Sequence, residues 1–131
     1  MKIFGIICEY NPFHNGHARQ LEFCKSKGAD LIFCAMSGDF TQRGEPAVLE
    51  KRIRAKHAVQ SGADLVAELP LPYAAAGAKD FAEGGVKLLE KMGCTHICFG
   101  SECGNISLLE KAAELIDSDS FNKSLKLHVK A

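Results

Sequence analysis

Short apolar runs alternate with stretches in which apolar residues recur every three or four positions, and this alternation continues along most of the chain. Lys2-Ile3-Phe4-Gly5-Ile6-Ile7-Cys8 is almost continuously apolar, as is typical of a strand buried on both faces of a parallel sheet. Leu31 to Met36, Leu65 to Glu68 and His96 to Phe99 read the same way. Between them, Ala18, Leu21 and Cys24 recur at helical spacing until Gly28 stops the pattern. Leu49, Ile53 and His57 predict a helix from about Leu49 to Gln60. Phe81, Leu88, Leu89 and Met92 predict another from about Lys79, and Ile106, Leu109, Ala113 and Ile116 a third. Asn105 is a candidate cap for the third, with Ser107-x-x-Glu110 as an alternative capping box. Gly62 and Gly93 each end a helix and lead into a strand.

Strand, helix, strand, helix predicts an α/β fold: a Rossmann-like, doubly wound parallel sheet with right-handed crossovers. Four strands are countable where such domains normally have five or six, so the sheet is either minimal or the front part of something longer. Ser124-Leu125-Lys126-Leu127-His128-Val129 alternates like an edge strand and could equally begin a helix, which leaves residues 118–131 open. Glu68-Leu69-Pro70-Leu71-Pro72 closes the third strand with two prolines that terminate pairing.

Composition sets the outer bounds. A chain of 131 residues with 47% hydrophobic residues is one domain by size, 1–131, with enough apolar matter for a sizeable core. Sixteen basic residues balance sixteen acidic ones, so there is no overall signal for nucleic acid, although a local basic patch remains compatible with it. No apolar run is long enough to span a bilayer, and the N-terminus lacks a signal-peptide pattern, so a cytoplasmic protein is expected. Of the six cysteines, Cys8, Cys34 and Cys98 lie inside apolar strand-like runs and read as reduced core thiols. Cys94, His96 and Cys98 alternate along one strand with Cys103 shortly after, but C-x-H-x-C is not a usual zinc pattern, and no metal site is assigned.

Against this frame the run Glu9-Tyr10-Asn11-Pro12-Phe13-His14-Asn15-Gly16-His17 stands out. It lies where the first strand becomes the first helix, in the βα turn where open α/β sheets bind ligands. His14 and His17 are three residues apart at the helix entrance and share one face. Unpaired amides and the positive end of the helix dipole favour an anion there. Gly16 leaves room for close approach to the backbone. Two imidazoles can add hydrogen bonds to phosphate oxygens. The polar loop Ser37-Gly38-Asp39-Phe40-Thr41-Gln42-Arg43-Gly44 follows the second strand on the same sheet edge, where loops often carry function. Lys51, Arg52, Arg54 and Lys56 form a basic run on the next helix, read either as a solvated face or as a contact for RNA phosphates.

The histidine run, Met36-Ser-Gly-Asp-Phe-Thr-Gln-Arg-Gly-Glu-Pro-Ala47, Ala63-Asp-Leu-Val-Ala-Glu-Leu-Pro70 and Cys98-Phe-Gly-Ser-Glu102 together resemble the tRNA(Met) cytidine acetate ligase family of the HIGH-motif nucleotidyltransferase superfamily. The resemblance implies the N-terminal part of a longer, ATP-dependent enzyme. Such an enzyme activates acetate as acetyl-adenylate and then acylates N4 of the wobble cytidine of elongator tRNA(Met), with Mg2+ accompanying the ATP. By the same analogy His14 and His17 are catalytic. ATP lies across Ile7, Cys8, Glu9, Tyr10, Asn11, Pro12, Phe13, His14, Asn15, Gly16, His17 and Gln20, with Gly100 meeting the nucleotide from the end of the fourth strand. Arg43, Lys51, Arg52 and Arg54 are candidate RNA contacts.

Adenylation requires a carboxylate to attack the α-phosphate while pyrophosphate leaves, so charge builds on phosphoryl oxygens and preorganised donors stabilise it. Superfamily enzymes also carry a second phosphate-binding element, a Ser/Thr-rich turn followed by Ile-Arg. No such segment occurs in these residues, so weak nucleotide binding and little turnover are expected of them alone. Two other readings use the same histidines: a nucleotidyltransferase acting on a small metabolite with release of pyrophosphate, and a non-catalytic nucleotide- or RNA-binding module.

Overall fold

In the computed structural model, which describes residues 1–129, the chain folds into two compact units, Met1–Phe99 and a second beginning at Gly100. The first unit is a parallel sheet of four strands, β1 (Ile3–Cys8), β2 (Leu31–Ser37), β3 (Leu65–Leu69) and β4 (His96–Ile97), in the order β3-β2-β1-β4. The chain winds outward from β1 to β3 and then returns to the far side of β1. The direction of winding therefore reverses between β1 and β4, which is where this architecture opens a crevice for ligands. Ile3 to Cys8 pair with Leu31 to Met36 in register, and Phe4 and Gly5 pair with His96 and Ile97.

Helices α1 (Asn15–Ser26), α2 (Lys51–Gln60), α3 (Leu71–Ala74) and α4 (Ala78–Lys91) complete the first unit. Strand residues point alternately to opposite faces, and the core divides accordingly. Phe4 and Ile6 of β1 and Ile32, Cys34 and Met36 of β2 pack with Leu21 and Cys24 of α1 and Ala58 of α2. On the other face α4 comes so close that a Cβ on Gly85 would lie 2.6 Å from Ile7, and one on Gly5 would lie 2.8 Å from Leu89. Gly85 is thus the condition for this helix to lie close against the sheet, while Gly84 makes room for the Tyr73 ring of α3.

The strand pattern is observed as read, with differences at the ends. β3 runs one residue further, to Leu69, and β4 keeps only two residues in register, although the Cys98 amide still reaches Gly5 O at 2.9 Å. α2 starts at Lys51 rather than Leu49, with Glu50 at its N-cap position. Its buried residues are Arg54 and Ala58, whereas Ile53 is 42% exposed, so the helix lies rotated from the face that Leu49, Ile53 and His57 suggested. Helix α3 was not foreseen: Pro70 and Pro72 end the strand, but Pro72 lies in the first turn of a short helix, where its missing N–H costs nothing.

The second unit contains α5 (Ile106–Asp117) and α6 (Asp119–Val129). Asn105 is the cap actually used by α5, its side chain accepting from the Leu108 amide at 3.2 Å. The edge-strand alternative for Ser124 to Val129 is corrected to helix. The Ser118 hydroxyl accepts the Phe121 amide at 3.3 Å and starts α6, and the alternating Leu125, Leu127 and Val129 are all exposed. Residues 130 and 131, the end of the segment left open from sequence, lie outside the described residues. Among those described, no helix is long and apolar enough to cross a membrane.

Candidate functional site

The chain leaves β1 through a tight turn with a buried aromatic at its centre. Tyr10 has φ 48°, a left-handed conformation uncommon outside glycine, and the residue is 1% exposed. Its hydroxyl lies 3.5 Å from Cys34 Sγ, and burial pushes the phenol well above its ordinary pKa. Phe13 meets this ring edge-on at 4.9 Å and His17 at 4.8 Å. The aromatic cluster fixes the route of the turn, which includes a cis Asn11–Pro12 bond.

His14 then adopts an extended backbone and caps α1. Its Nδ1 accepts the Gly16 amide at 3.1 Å, and Nδ1 of His17 accepts the His14 amide at 3.3 Å. This is a reciprocal capping box in which imidazoles fill the roles usually taken by Ser and Glu. The rings stack with centroids 3.6 Å apart and planes 22° from parallel. A ring nitrogen that accepts carries no proton, so both rings are neutral with their proton on Nε2. Burial, and then the neighbouring His14, hold the His17 pKa below its ordinary value, which favours the same state near pH 7. The helix entrance therefore presents two stacked Nε2–H donors at the positive end of a helix dipole.

Gly16 has a more local role than the sequence suggested. A Cβ there would sit 2.9 Å from Cε1 of His14, so the missing side chain makes room for the histidine ring itself. The Gly16 amide is also committed to His14. An anion at this helix start would therefore meet the imidazoles rather than that amide.

The polar loop after β2 is strapped to the same turn. Glu9 Oε1 accepts the Gln42 amide at 2.6 Å, and Asn11 Oδ1 accepts the Val48 amide at 2.7 Å. Arg54, a candidate RNA contact in sequence, is instead fully buried. Its guanidinium donates to the carbonyls of Leu49, Glu9 and Gly38, joining the ends of β1 and β2 to the start of α2. It is inaccessible to an RNA phosphate, because a planar fork with three backbone acceptors is enclosed by the fold. Lys51 pairs with Glu68 at 2.9 Å and with Asp39 at 3.3 Å. Arg43 and Arg52 are exposed. Glu68, which sequence left without a role, is thus part of an ion-pair cluster.

Of the remaining candidate residues, Pro12 and Asn15 are exposed in the turn. Ile7 packs against Gly85, and Cys8 Sγ lies 3.8 Å from Ala35 O. Gln20 Nε2 donates to Cys98 O at 3.3 Å, linking α1 to the residue that follows β4. Gly100 opens the second unit, with no atom within 4 Å of where a Cβ would stand. All six cysteines are free thiols, and among the described residues no three His, Cys, Asp or Glu side chains are placed to hold a metal.

A β3-β2-β1-β4 parallel sheet with paired histidines in the turn at its winding reversal defines an open α/β protein whose candidate site lies where such sheets bind ligands. The HIGH Nucleotidyl Transferase family model matches residues 1–131. The tRNA(Met) cytidine acetate ligase of Acetivibrio thermocellus is 49% identical over 130 residues, covering 96% of this chain and 31% of its own length. That of a Geobacillus species is 53% identical over 115 residues, covering 87% and 29%. The crystal structure of Thermotoga maritima TmcAL bound with alpha-thio ATP superposes with a TM-score of 0.90 at 41% identity, covering 99% of this chain and 32% of that one. The chain belongs to the HIGH nucleotidyl transferase family. It spans about a third of the length of the relatives it matches.

Proposed function

We propose that this chain supplies one half of the ATP site of an adenylate-forming ligase, and that the stacked His14–His17 pair binds and stabilises the phosphates. The observation that carries the reading is the capping geometry. With both Nδ1 atoms accepting backbone amides, the two Nε2–H groups are fixed as donors at a helix start, before any ligand arrives. The alpha-thio ATP bound by the Thermotoga maritima relative supports ATP as the nucleotide.

In the proposed reaction an acetate oxygen attacks the α-phosphorus, pyrophosphate departs, and His14 and His17 donate to the phosphoryl oxygens on which charge accumulates. Donors aimed at developing charge are typically worth on the order of 10²- to 10³-fold in rate each. The acetyl group then passes from the adenylate to N4 of the wobble cytidine of elongator tRNA(Met), with AMP leaving and the amine giving up a proton; the names of the relatives support a cytidine of tRNA(Met) as the acceptor. Arg43 and Arg52 are the basic residues left available to RNA phosphates. Mg2+ would travel with the ATP phosphates; the described residues offer it no cage, and no step is assigned to it.

The test is to incubate the full-length protein with ATP and labelled acetate, with and without tRNA(Met). The reading expects acetyl-adenylate with or without tRNA, and labelled tRNA only when tRNA is present. Pyrophosphate release that requires a small metabolite in place of acetate would favour a simpler nucleotidyltransferase.

A further inference from the structure

On the sheet face that packs against α2, the ends of β2 and β3 and the start of that helix line an open cavity of about 380 Å³. Met36, Ala55 and Val66 form its apolar walls, and Lys51, Arg52 and Glu68 supply its polar lining. The register explains the grouping. Met36 pairs with Glu68, and Cys34 with Val66, in a parallel ladder, which brings Val66 and Glu68 to the same face as Met36. Lys51 and Ala55 are one turn apart on α2 and look the same way. Met36 is also the partner of Cys8. Glu68 therefore stands two strand spacings, about 10 Å, from the end of β1 where the histidine turn begins. The buried Arg54 bridges the interval, bonded to Glu9 O on one side and to Gly38 O on the other, and Gly38 lies directly against the Glu68 carboxylate.

The polar pair has a definite complement. Glu68 Oε1 and Lys51 Nζ are 2.9 Å apart, an acceptor beside a donor. The pairing edge of cytosine offers a donor, the N4 amine, beside two acceptors, N3 and O2. We propose that this cavity receives the cytosine of the acceptor nucleotide, with Glu68 accepting from N4, Lys51 donating to N3 or O2, and Met36 and Val66 covering the ring. The proposal rests on the ligase reading above and names the site of its second substrate. A base in a single-stranded loop can be splayed out to enter such a pocket. Uracil has a carbonyl oxygen at position 4, which would face the Glu68 carboxylate with no proton between them, so the site selects against it.

Cytidine and uridine 5′-monophosphates titrated into the isotopically labelled chain test this directly. CMP is expected to move the methyl signals of Met36, Ala55 and Val66 and to bind at least roughly tenfold more tightly than UMP. In Glu68→Gln, whose amide can either donate or accept, the two affinities are expected to fall within about twofold of each other. Ala55→Leu, which narrows the cavity without touching the ion pair, is expected to abolish the CMP shifts while the remaining spectrum stays folded. Equal affinity for the two nucleotides in the unaltered chain, or CMP shifts confined to other residues, overturns the proposal. Acetate-dependent ATP–pyrophosphate exchange by the full-length protein reads the histidine site independently. CMP selectivity without exchange would discard the ligase reading and keep the cavity as a cytosine site, whereas exchange without CMP selectivity would discard the cavity.

Discussion

At the scale of single residues, the site depends on what each imidazole does with its two nitrogens. Nδ1 of each ring is committed to the backbone, so the proposed phosphate role rests on Nε2. His17→Ala is expected to lower acetate-dependent ATP–pyrophosphate exchange by the full-length protein on the order of 10²-fold or more. It should leave the circular dichroism spectrum unchanged, since His17 is only half-buried. An exchange rate equal to that of the parent would remove the phosphate role. Gly16→Ala should be nearly as damaging to nucleotide binding, because its Cβ would push His14 off the cap and out of the stack. The cost in stability should be only about 1 kcal/mol, that of a lost N-cap. The pH dependence has a definite sign. The folded pKa of His17 lies below the ordinary 6.5, so the unfolded chain takes up a proton first. His17 therefore costs no stability above about pH 6.5, and a growing amount as the pH falls from there through its folded value. Histidine NMR titration should place its midpoint below 6.5, and a midpoint at or above that value would contradict the neutral-ring account.

At the scale of elements, the strands and the helix entrance were legible in sequence because apolar runs and an H-x-G-H turn are local signals. Arg54 was not. A basic residue among Lys51, Arg52 and Lys56 reads as part of a charged face, and only the tertiary approach of Glu9 and Gly38 makes its burial favourable. The nearest local hint is its i, i+4 relation to the small Ala58, the other buried residue of α2. Arg54→Met would leave three backbone carbonyls without their donor, and a loss of about 3 kcal/mol is expected in denaturant unfolding, with Arg54→Lys recovering part of it. Unchanged stability in Arg54→Met would mean that these bonds do not hold the loop. The glycine pair in α4 was likewise silent, since glycine in a helix normally reads as a weakness. Alanine at position 85 would gain about 1 kcal/mol of helix propensity, but its Cβ would fall 2.6 Å from Ile7. Overpacking of this kind costs about 1–3 kcal/mol, so Gly85→Ala is expected to lower the unfolding midpoint despite the better helix former. The second unit shows the reverse problem. Leu125, Leu127 and Val129 alternate in sequence, but none is buried, so the alternation reported no sheet face and the capped helix prevailed.

At the scale of the whole molecule, a four-stranded sheet built around one winding reversal is sufficient to place the histidine turn, the strapped polar loop and the α2 cavity along one edge. The family assignment and the fold were both legible because four separated motifs kept their order along the chain. The arrangement of the polar loop around the turn was not, because it depends on the side chains of Glu9 and Asn11 reaching across to residues 33 and 37 positions away. The central claim is that ATP phosphates meet the Nε2–H groups of His14 and His17. Nitrogen-15 NMR of the two rings during titration with ATP tests it most directly. The account predicts that both Nε2 signals shift, with the proton retained on Nε2 and Nδ1 unprotonated. Ring signals that stay unmoved at saturating ATP, or a proton on Nδ1, would contradict it.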